Sequence, residues 1–433
     1  MKRQRVCLYT LGCSKNLVDS ERVLKRLEDA GFEAVHEPEA TAKGDIVIVN
    51  TCGFIGDAKE ESVNTILEFA DLRSKGEIAG LNVMGCLSQR YREELRKEIP
   101  EVDRWYGKTD WDSLTADLAC HASVTEVYDR KVTTPSHHAY LKISEGCNRF
   151  CAFCAIPLIT GRHRSRSIEE IEAEVRMLTR RGVREFNVIA QDLSAYGTDL
   201  PGSGSRLAEL ISRLSDIKGV DWLRLHYAYP ADFPTDILDV MSQRPNVCNY
   251  LDIALQHISD PVLKAMRRHI TRKQTIDLLD EIRTRVPGIH LRTTLMTGFP
   301  GETEEQFDEL MEFVAEQRFE RMGAFAYCEE EGTYSALNYP DNVPADVKQE
   351  RLDRLMALQE QISQEIQNEK IGRTLRVMID REEPDYYIGR TEWDSPEVDP
   401  EVLIAKHPSL HPGEFASVEI TGALPYELMA KVK

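Results

Sequence analysis

Three thiols fall within eight residues of one another, in Ser144-Glu145-Gly146-Cys147-Asn148-Arg149-Phe150-Cys151-Ala152-Phe153-Cys154. CxxxCxxC spacing lets one short loop aim all three at a single metal centre. Thiolates are soft ligands that select zinc, copper(I) or iron-sulfur clusters. A zinc site would recruit a fourth Cys or His, and the next candidate is His163, nine residues on. Three thiolates on a cubane cluster instead leave one iron free for a ligand that is not protein. Three unrelated buried thiols are the ordinary alternative, since free Cys packs as a small hydrophobe, but three in so short a segment argue against it. Spacing alone leaves two readings: a cluster with an open iron, or a zinc site completed from elsewhere.

A second set of thiols depends on the elements that carry it. Short apolar runs at Val6 to Thr10, Asp45 to Asn50 and Gly80 to Gly85 alternate with helical patterns at Leu17 to Ala30, Asp57 to Ser74 and Gln89 to Glu98. This βαβ rhythm predicts a parallel sheet. Each run ends at a cysteine: Leu11-Gly12-Cys13-Ser14-Lys15-Asn16, Asn50-Thr51-Cys52-Gly53-Phe54 and Met84-Gly85-Cys86-Leu87-Ser88. Ligands of open α/β sheets sit at the carboxyl ends of strands, so Cys13, Cys52 and Cys86 are expected to converge on one edge and hold a second cluster. Each taken alone would be an ordinary small residue in a tight turn.

Asp110 to Ala119 reads as a short helix, and 133–138 as a linker with a boundary near Pro135. A strand at Ala139 to Ser144 then delivers the CxxxCxxC loop. Five further strands follow at Glu185 to Ala190, Trp222 to Ala228, Tyr250 to Leu255, His290 to Met296 and Arg321 to Tyr327, separated by helical patterns. Six βα units predict an incomplete barrel with its chemistry at the carboxyl ends of the strands. Val347 to Ile371 reads as a connecting helix, and the short alternating strands after Gly372 as a small β-barrel. The predicted fold is therefore α/β in four parts: an N-terminal parallel sheet domain over 1–135, a partial (β/α)6 barrel over 136–345, a helix over 346–371 and a β-barrel over 372–433.

The chain has 433 residues, with 54 Lys and Arg against 73 Asp and Glu, for a net charge of −19. That balance disfavours gripping nucleic acid by charge alone and favours a basic partner. The absence of an eighteen-residue apolar run predicts a cytoplasmic protein without membrane contact. Ten scattered cysteines in such a chain point to metal or redox use rather than disulfides.

The two cysteine triads, the partial barrel and the terminal barrel together resemble the methylthiotransferases, a branch of the radical S-adenosylmethionine enzymes. Leu11 to Asn16, Gln191-Asp192, Ala195-Tyr196-Gly197, Leu291 to Thr294, Tyr327 to Thr333, Gly389-Arg390-Thr391 and Glu397-Val398-Asp399 are similar to the RimO group, which modifies a ribosomal protein. The resemblance implies that Cys147, Cys151 and Cys154 hold a [4Fe-4S] cluster whose open iron binds S-adenosylmethionine. It implies a second [4Fe-4S] cluster on Cys13, Cys52 and Cys86 that presents sulfur. The implied reaction places a methylthio group on the β-carbon of an aspartate in small-subunit ribosomal protein twelve, free or within the subunit, with an electron-donor protein as second partner. Two other functions stay open: methylthiolation of a transfer-RNA adenosine, and a non-catalytic iron-sulfur sensor.

Polar residues at strand ends complete the expected site. Gln191, Asp192, Gln256, Arg292 and Thr294, with His257 and Thr293 beside them, are expected to line the S-adenosylmethionine pocket. Phe150 and Phe153 would shield the cluster or simply pack. Arg162, Arg164 and Arg166 would meet carboxylates of cofactor or substrate, or precede a helix as surface charge. Thr303 and Gln306 form a capping pattern, a structural use of the Gly298 to Thr303 turn. Cys7, Cys120, Cys248 and Cys328 fit neither triad and are expected to pack, with Cys248 in a loop; His137 and His138 are expected in solvent. The terminal barrel resembles a TRAM domain, which contacts RNA in transfer-RNA members. Here it holds seven basic and twelve acidic residues, which suits a basic ribosomal protein better than RNA.

Overall fold

The computed structural model describes residues 3–119, 128–202 and 204–433. The chain forms two compact units: 1–134, 140–148 and 154–177 make the first, and 135–139, 149–153 and 178–433 the second.

In the first unit, strand β1 (Arg5–Thr10) leads to helix α1 (Ser14–Asp29), β2 (Glu33–His36), β3 (Ile46–Thr51), α2 (Gly56–Ser74), β4 (Gly80–Gly85), α3 (Cys86–Glu98), β5 (Arg104–Trp105) and α4 (Trp111–Leu118). The sheet is parallel, in the order β2-β1-β3-β4-β5. The strands are apolar on both faces because helices cover both. Val6, Leu8 and Ile48 pack with Val23, Leu24 and Leu27 of α1 on one side. Cys7, Val47, Val49 and Leu81 pack with Ile66 and Phe69 of α2 on the other. Two strands escaped the sequence pattern, β2 and β5, which are four and two residues long. Cys120 lies outside the described residues.

Strand β6 (His138–Lys142) crosses the unit boundary and is followed by β7 (Ser144–Glu145), α5 (Ile156–Thr160), β8 (Arg164–Ser165) and α6 (Ile168–Arg180). The single strand expected over Ala139 to Ser144 is thus broken, and the cysteine loop follows a separate two-residue ribbon of β7 with β8.

The second unit continues with β9 (Glu185–Ile189), α7 (Leu207–Ser215), β10 (Trp222–Ala228), α8 (Ile237–Gln243), β11 (Val247–Ile253), α9 (Asp260–Ala265), α10 (Arg272–Arg285), β12 (His290–Thr297), α11 (Glu304–Gln317) and β13 (Arg321–Ala326). Their order is β13-β12-β11-β10-β9, with β6 next at the edge, so the expected six-stranded array is present. Capping boxes start α10 at Thr271 with Gln274 and α11 at Thr303 with Gln306. Cys248 sits buried within β11, not in a loop, because that strand begins three residues before the expected start.

After α12 (Tyr334–Asn338), the long helix α13 (Ala345–Asn368) packs on β12 and β13. The strands β14 (Thr374–Glu382), β15 (Tyr386–Thr391), β16 (Glu401–Ala405), β17 (Phe415–Leu424) and β18 (Glu427–Val432) close a barrel in the order β14-β15-β16-β18-β17. This barrel is seated on the amino-terminal halves of the parallel strands. Arg390 grips Glu185, the first residue of β9, at 2.8 and 3.0 Å. Asp394 holds Arg321, the first residue of β13, at 2.5 Å. Asp399 takes Arg292 of β12 at 2.7 Å and the Tyr250 hydroxyl at 2.8 Å. His137 and His138 are buried rather than solvated, because Asp380 of β14 meets His137 Nε2 at 2.8 Å. The terminal barrel therefore sits at the amino ends of these strands, away from their carboxyl ends.

Candidate functional site

Cys13, Cys52 and Cys86 follow β1, β3 and β4, which are neighbours in the sheet, so parallel register alone brings the three residues to one edge. Cys13 precedes α1 as its N-cap and is exposed, whereas Cys52 and Cys86 are each 8% exposed. Each turn is fitted to a sulfur. Gly12 has φ +93°, and a Cβ there would stand 2.9 Å from Cys52 Sγ. Asn16 ties the turns together: its amide donates to the carbonyls of Leu11 and Thr51 at 2.9 and 3.1 Å, and its oxygen accepts from Cys86 Sγ at 3.6 Å. Ser62 accepts from the Cys52 N–H and donates to its carbonyl, both at 3.0 Å. Burial pushes the Cys86 thiol up to about 12 and raises that of Cys52; neighbouring cysteines add to both shifts, and the Lys108 ammonium opposes the rise at Cys86. Metal ligation would replace those protons, and the positive charge of the metal would offset the cost of burying thiolates.

The unit boundary runs through the second cysteine loop, so Cys147 and Cys154 belong to the first unit and Cys151 to the second. In the first unit, Gly146 has φ +71° and lies against the Arg162 carbonyl, and Cys147 N donates to the Gly161 carbonyl at 3.2 Å. The loop is therefore closed at its base. His163, the candidate fourth zinc ligand, places Nε2 3.0 Å from Ser165 Oγ and takes Asn148 Oδ1 on its backbone N–H. Immediately after Cys154, Ala155 and Ile159 of α5 pack on Cys86. Cys86 thereby packs against the residue that follows Cys154. A buried quartet of charges adds to the junction: Lys108 Nζ lies 2.9 Å from Glu145 and 3.3 Å from Asp19, and Lys142 pairs with both carboxylates. Arg166 is paired with Glu170 and Glu174 at 2.8 and 2.6 Å and serves the fold, while Arg162 and Arg164 are exposed.

In the second unit, Cys151 Sγ has Arg268 Nη1 at 3.3 Å and the Tyr229 hydroxyl at 3.7 Å. The guanidinium thus donates directly to the sulfur. Arg149 and Arg268 lie over the Tyr229 ring at 4.3 and 4.1 Å, and Arg149 Nε is 2.6 Å from Asp192. Arg149, Tyr229 and Arg268 were not singled out from sequence; only Tyr229, just past β10, stood where strand-end reasoning would find it. Phe153 packs with Ala152 and Met266, whereas Phe150 is half exposed and has φ +49°. Left-handed backbone recurs at Tyr227, Asp232, Gln256, Arg267 and His269. Such strain clusters at ligand sites.

Gln191 and Asp192 follow β9, and Gln256 lies beyond β11, bridged to Leu295 of β12. Asp192 and Gln256 are 2% and 8% exposed, and Asp192 Oδ1 and Gln256 Oε1 have no hydrogen-bond partner. Two buried acceptors left open at strand ends fit a polar ligand. Thr294 and Arg292 share a face of β12, but Arg292 is bound by Asp399 and points to the terminal barrel. Gly298 is required by α13: it has φ +71°, and a Cβ there would meet Lys348 Cγ at 2.2 Å. No three His, Cys, Asp or Glu side chains among the described residues are grouped to hold one metal ion. A cubane binds each thiolate to a different iron and spaces its ligands more widely.

Comparison with known proteins accounts for nearly the whole chain. The Radical SAM superfamily matches residues 141–314, the uncharacterized protein family UPF0004 residues 5–107 and the TRAM domain residues 371–432. The chain is 61% identical over its full length, and that of the relative, to ribosomal protein uS12 methylthiotransferase RimO of Porphyromonas gingivalis. Identity is 58% to the enzyme of that name from Bacteroides thetaiotaomicron, covering 100% of this chain and 99% of the other. Among solved structures, the radical S-adenosylmethionine methyltransferase TsrM from Kitasatospora setae aligns with a TM-score of 0.54 at 15% identity, over 75% of each chain. The cobalamin-dependent radical enzyme OxsB aligns at 0.53, covering 82% of this chain and 56% of that one, at 14% identity. At those identities the likeness concerns the fold.

Proposed function

The chain belongs to the RimO family of radical S-adenosylmethionine methylthiotransferases, and we propose that it places a methylthio group on the β-carbon of an aspartate in ribosomal protein uS12, using two [4Fe-4S] clusters. The observation that carries this reading is the contact between Cys86 of one triad and Ala155, the residue after Cys154 of the other. A reaction that makes a carbon radical at one centre and quenches it with sulfur from a second needs the two close together.

When bound, these groups supply a 5′-deoxyadenosyl radical for hydrogen abstraction and a methylated sulfide for the resulting carbon centre. The protein's part is position and exclusion of water. Cys147, Cys151 and Cys154 would hold the first cluster, with Arg268 and Tyr229 orienting the Cys151 sulfur. Cys13, Cys52 and Cys86 hold the second, in turns fixed by Gly12, Asn16 and Ser62. Asp192 and Gln256, with Gln191 and Thr294 beside them, offer acceptors to the amino and hydroxyl groups of S-adenosylmethionine. Phe153 and Met266 wall the site with apolar surface.

The terminal barrel suits a basic protein partner. Once Asp380, Asp394, Asp399 and Arg390 are assigned to its seat, nine acidic and six basic residues remain. Phosphate contacts would favour the opposite balance.

Reconstituted enzyme, S-adenosylmethionine, a low-potential reductant and purified uS12 are expected to yield one aspartate carrying a methylthio mass, read by peptide mass spectrometry. Modification of transfer-RNA adenosine with uS12 left unmodified would overturn the substrate. Failure to release 5′-deoxyadenosine would overturn the chemistry.

A further inference from the structure

A cleft of about 550 Å³ opens at the amino ends of β12 and β13, opposite the strand ends that carry the reaction. Its size is that of a small-molecule site. The floor is formed by His290 at the start of β12, Lys370 just past α13 and Trp393 of the terminal barrel. His290 stacks on Trp393 with ring centroids 4.5 Å apart and planes at 11°. Lys370 and Arg373 stand 5.5 and 5.8 Å from the same ring.

The floor has polar groups that the protein leaves unused. His290 Nδ1 and Trp393 Nε1 are buried without a hydrogen-bond partner, although such groups are nearly always satisfied. Lys370 is 2% exposed, and among the described residues its ammonium donates to the side chain of Gln367 alone, at 2.5 Å. The carboxylates that face it, Asp394 and Glu320, are already paired with Arg321 and Arg283. Arg373 has no carboxylate partner among the described residues. Burial, with the surrounding cations, holds His290 well below its usual range and brings Lys370 down to about 7. Lys370 and Arg373 are thus two basic groups at the floor that form no ion pair of their own among the described residues.

We propose that this cleft binds a small anion, a phosphate or carboxylate group seated between Lys370 and Arg373 with Trp393 Nε1 as a further donor. The rim selects against larger polyanions: Asp280, Glu316 and Glu369 line it and are exposed, so an RNA backbone would meet like charge there. Because the floor joins β12, the end of α13 and the terminal barrel, the bound anion braces that barrel on the sheet without entering the reaction site.

Calorimetric titration of the reconstituted full-length protein with inorganic phosphate, and separately with citrate, at constant ionic strength tests this. Saturable binding of either probe is expected, about tenfold weaker in Lys370→Gln and in Arg373→Gln because each removes a charge-assisted bond, and unchanged in the exposed control Lys273→Gln. Arg373 is exposed, so its variant decides the matter if Lys370→Gln does not fold. The probe that binds more tightly identifies the anionic group. No saturable heat with either probe, or equal weakening in the Lys273 control, would overturn the site.

Discussion

The two cysteine triads reach similar ends by opposite routes. Cys147, Cys151 and Cys154 are gathered by eight residues of chain, and their closeness needs little beyond a loop closed at Gly146 and Gly161. Cys13, Cys52 and Cys86 span more than seventy residues, and only the parallel register of β1, β3 and β4 brings them to one edge. A local triad fails ligand by ligand, whereas a triad assembled by a sheet fails with the sheet. On the proposed function the first triad would present an open iron to a cofactor, and the second would lie near it through the packing of Cys86 on Ala155.

The largest effects separate the two centres by activity. Cys151→Ala is expected to abolish reductive cleavage of S-adenosylmethionine, measured as 5′-deoxyadenosine release, and with it all methylthio transfer. Cys52→Ala is expected to keep cleavage and lose transfer to uS12. If both activities vanish in Cys52→Ala while circular dichroism stays native, the division of labour is wrong. Next comes Gly12→Val, which replaces none of the proposed ligands. Its Cβ would stand 2.9 Å from Cys52 Sγ on a backbone with φ +93°, so it strains the turn and displaces the sulfur. Bound iron is expected to fall by about half, as one of two clusters is lost. Full iron content in that variant would mean the sheet edge is softer than the register implies.

How much of this was legible beforehand follows the same division. The loop triad could be read from spacing, and the sheet triad from three strand-end glycine-cysteine or cysteine-glycine turns, because parallel sheets place such turns together. The short strands β2 and β5 were not legible, being too brief to show a period. Arg268 was missed because it reaches Cys151 from a turn whose left-handed residues, Arg267 and His269, follow no composition rule. Arg292 and His137 were misjudged for one reason: their partners Asp399 and Asp380 lie more than a hundred residues away in the terminal barrel. Tertiary charge pairing of that kind leaves no local trace.

The remaining predictions ask whether the two triads are mechanically coupled. Lys108 is 3% exposed and joins Asp19 of α1 to Glu145, two residues before Cys147. Replacing it by Met leaves Lys142 as the one cation of the quartet facing both Asp19 and Glu145, which costs less than the roughly 3 to 5 kcal/mol of a buried charge left with no partner. Lys108→Met is therefore expected to lower the thermal midpoint and to release iron from both centres at one temperature. Staggered release would show that the triads are independent despite their contact.

That reading needs a variant that costs stability elsewhere. Thr303 caps α11 in the second unit, its hydroxyl accepting from Gln306 N at 3.3 Å while the Gln306 side chain returns to the Thr303 N–H at 3.0 Å. Removing an N-cap of this type costs about 1 kcal/mol. Thr303→Ala should lower the melting temperature by a few degrees at most, keep full iron at room temperature and keep both activities. The effect is the smallest of the set, and it interprets the one before it. If a loss of that size, on a helix that supplies no thiol, already released iron, then release in Lys108→Met would report general instability. If iron stays until the second unit melts, loss in Lys108→Met is specific to the charged junction, and that junction is what keeps the sheet-built and loop-built centres in step.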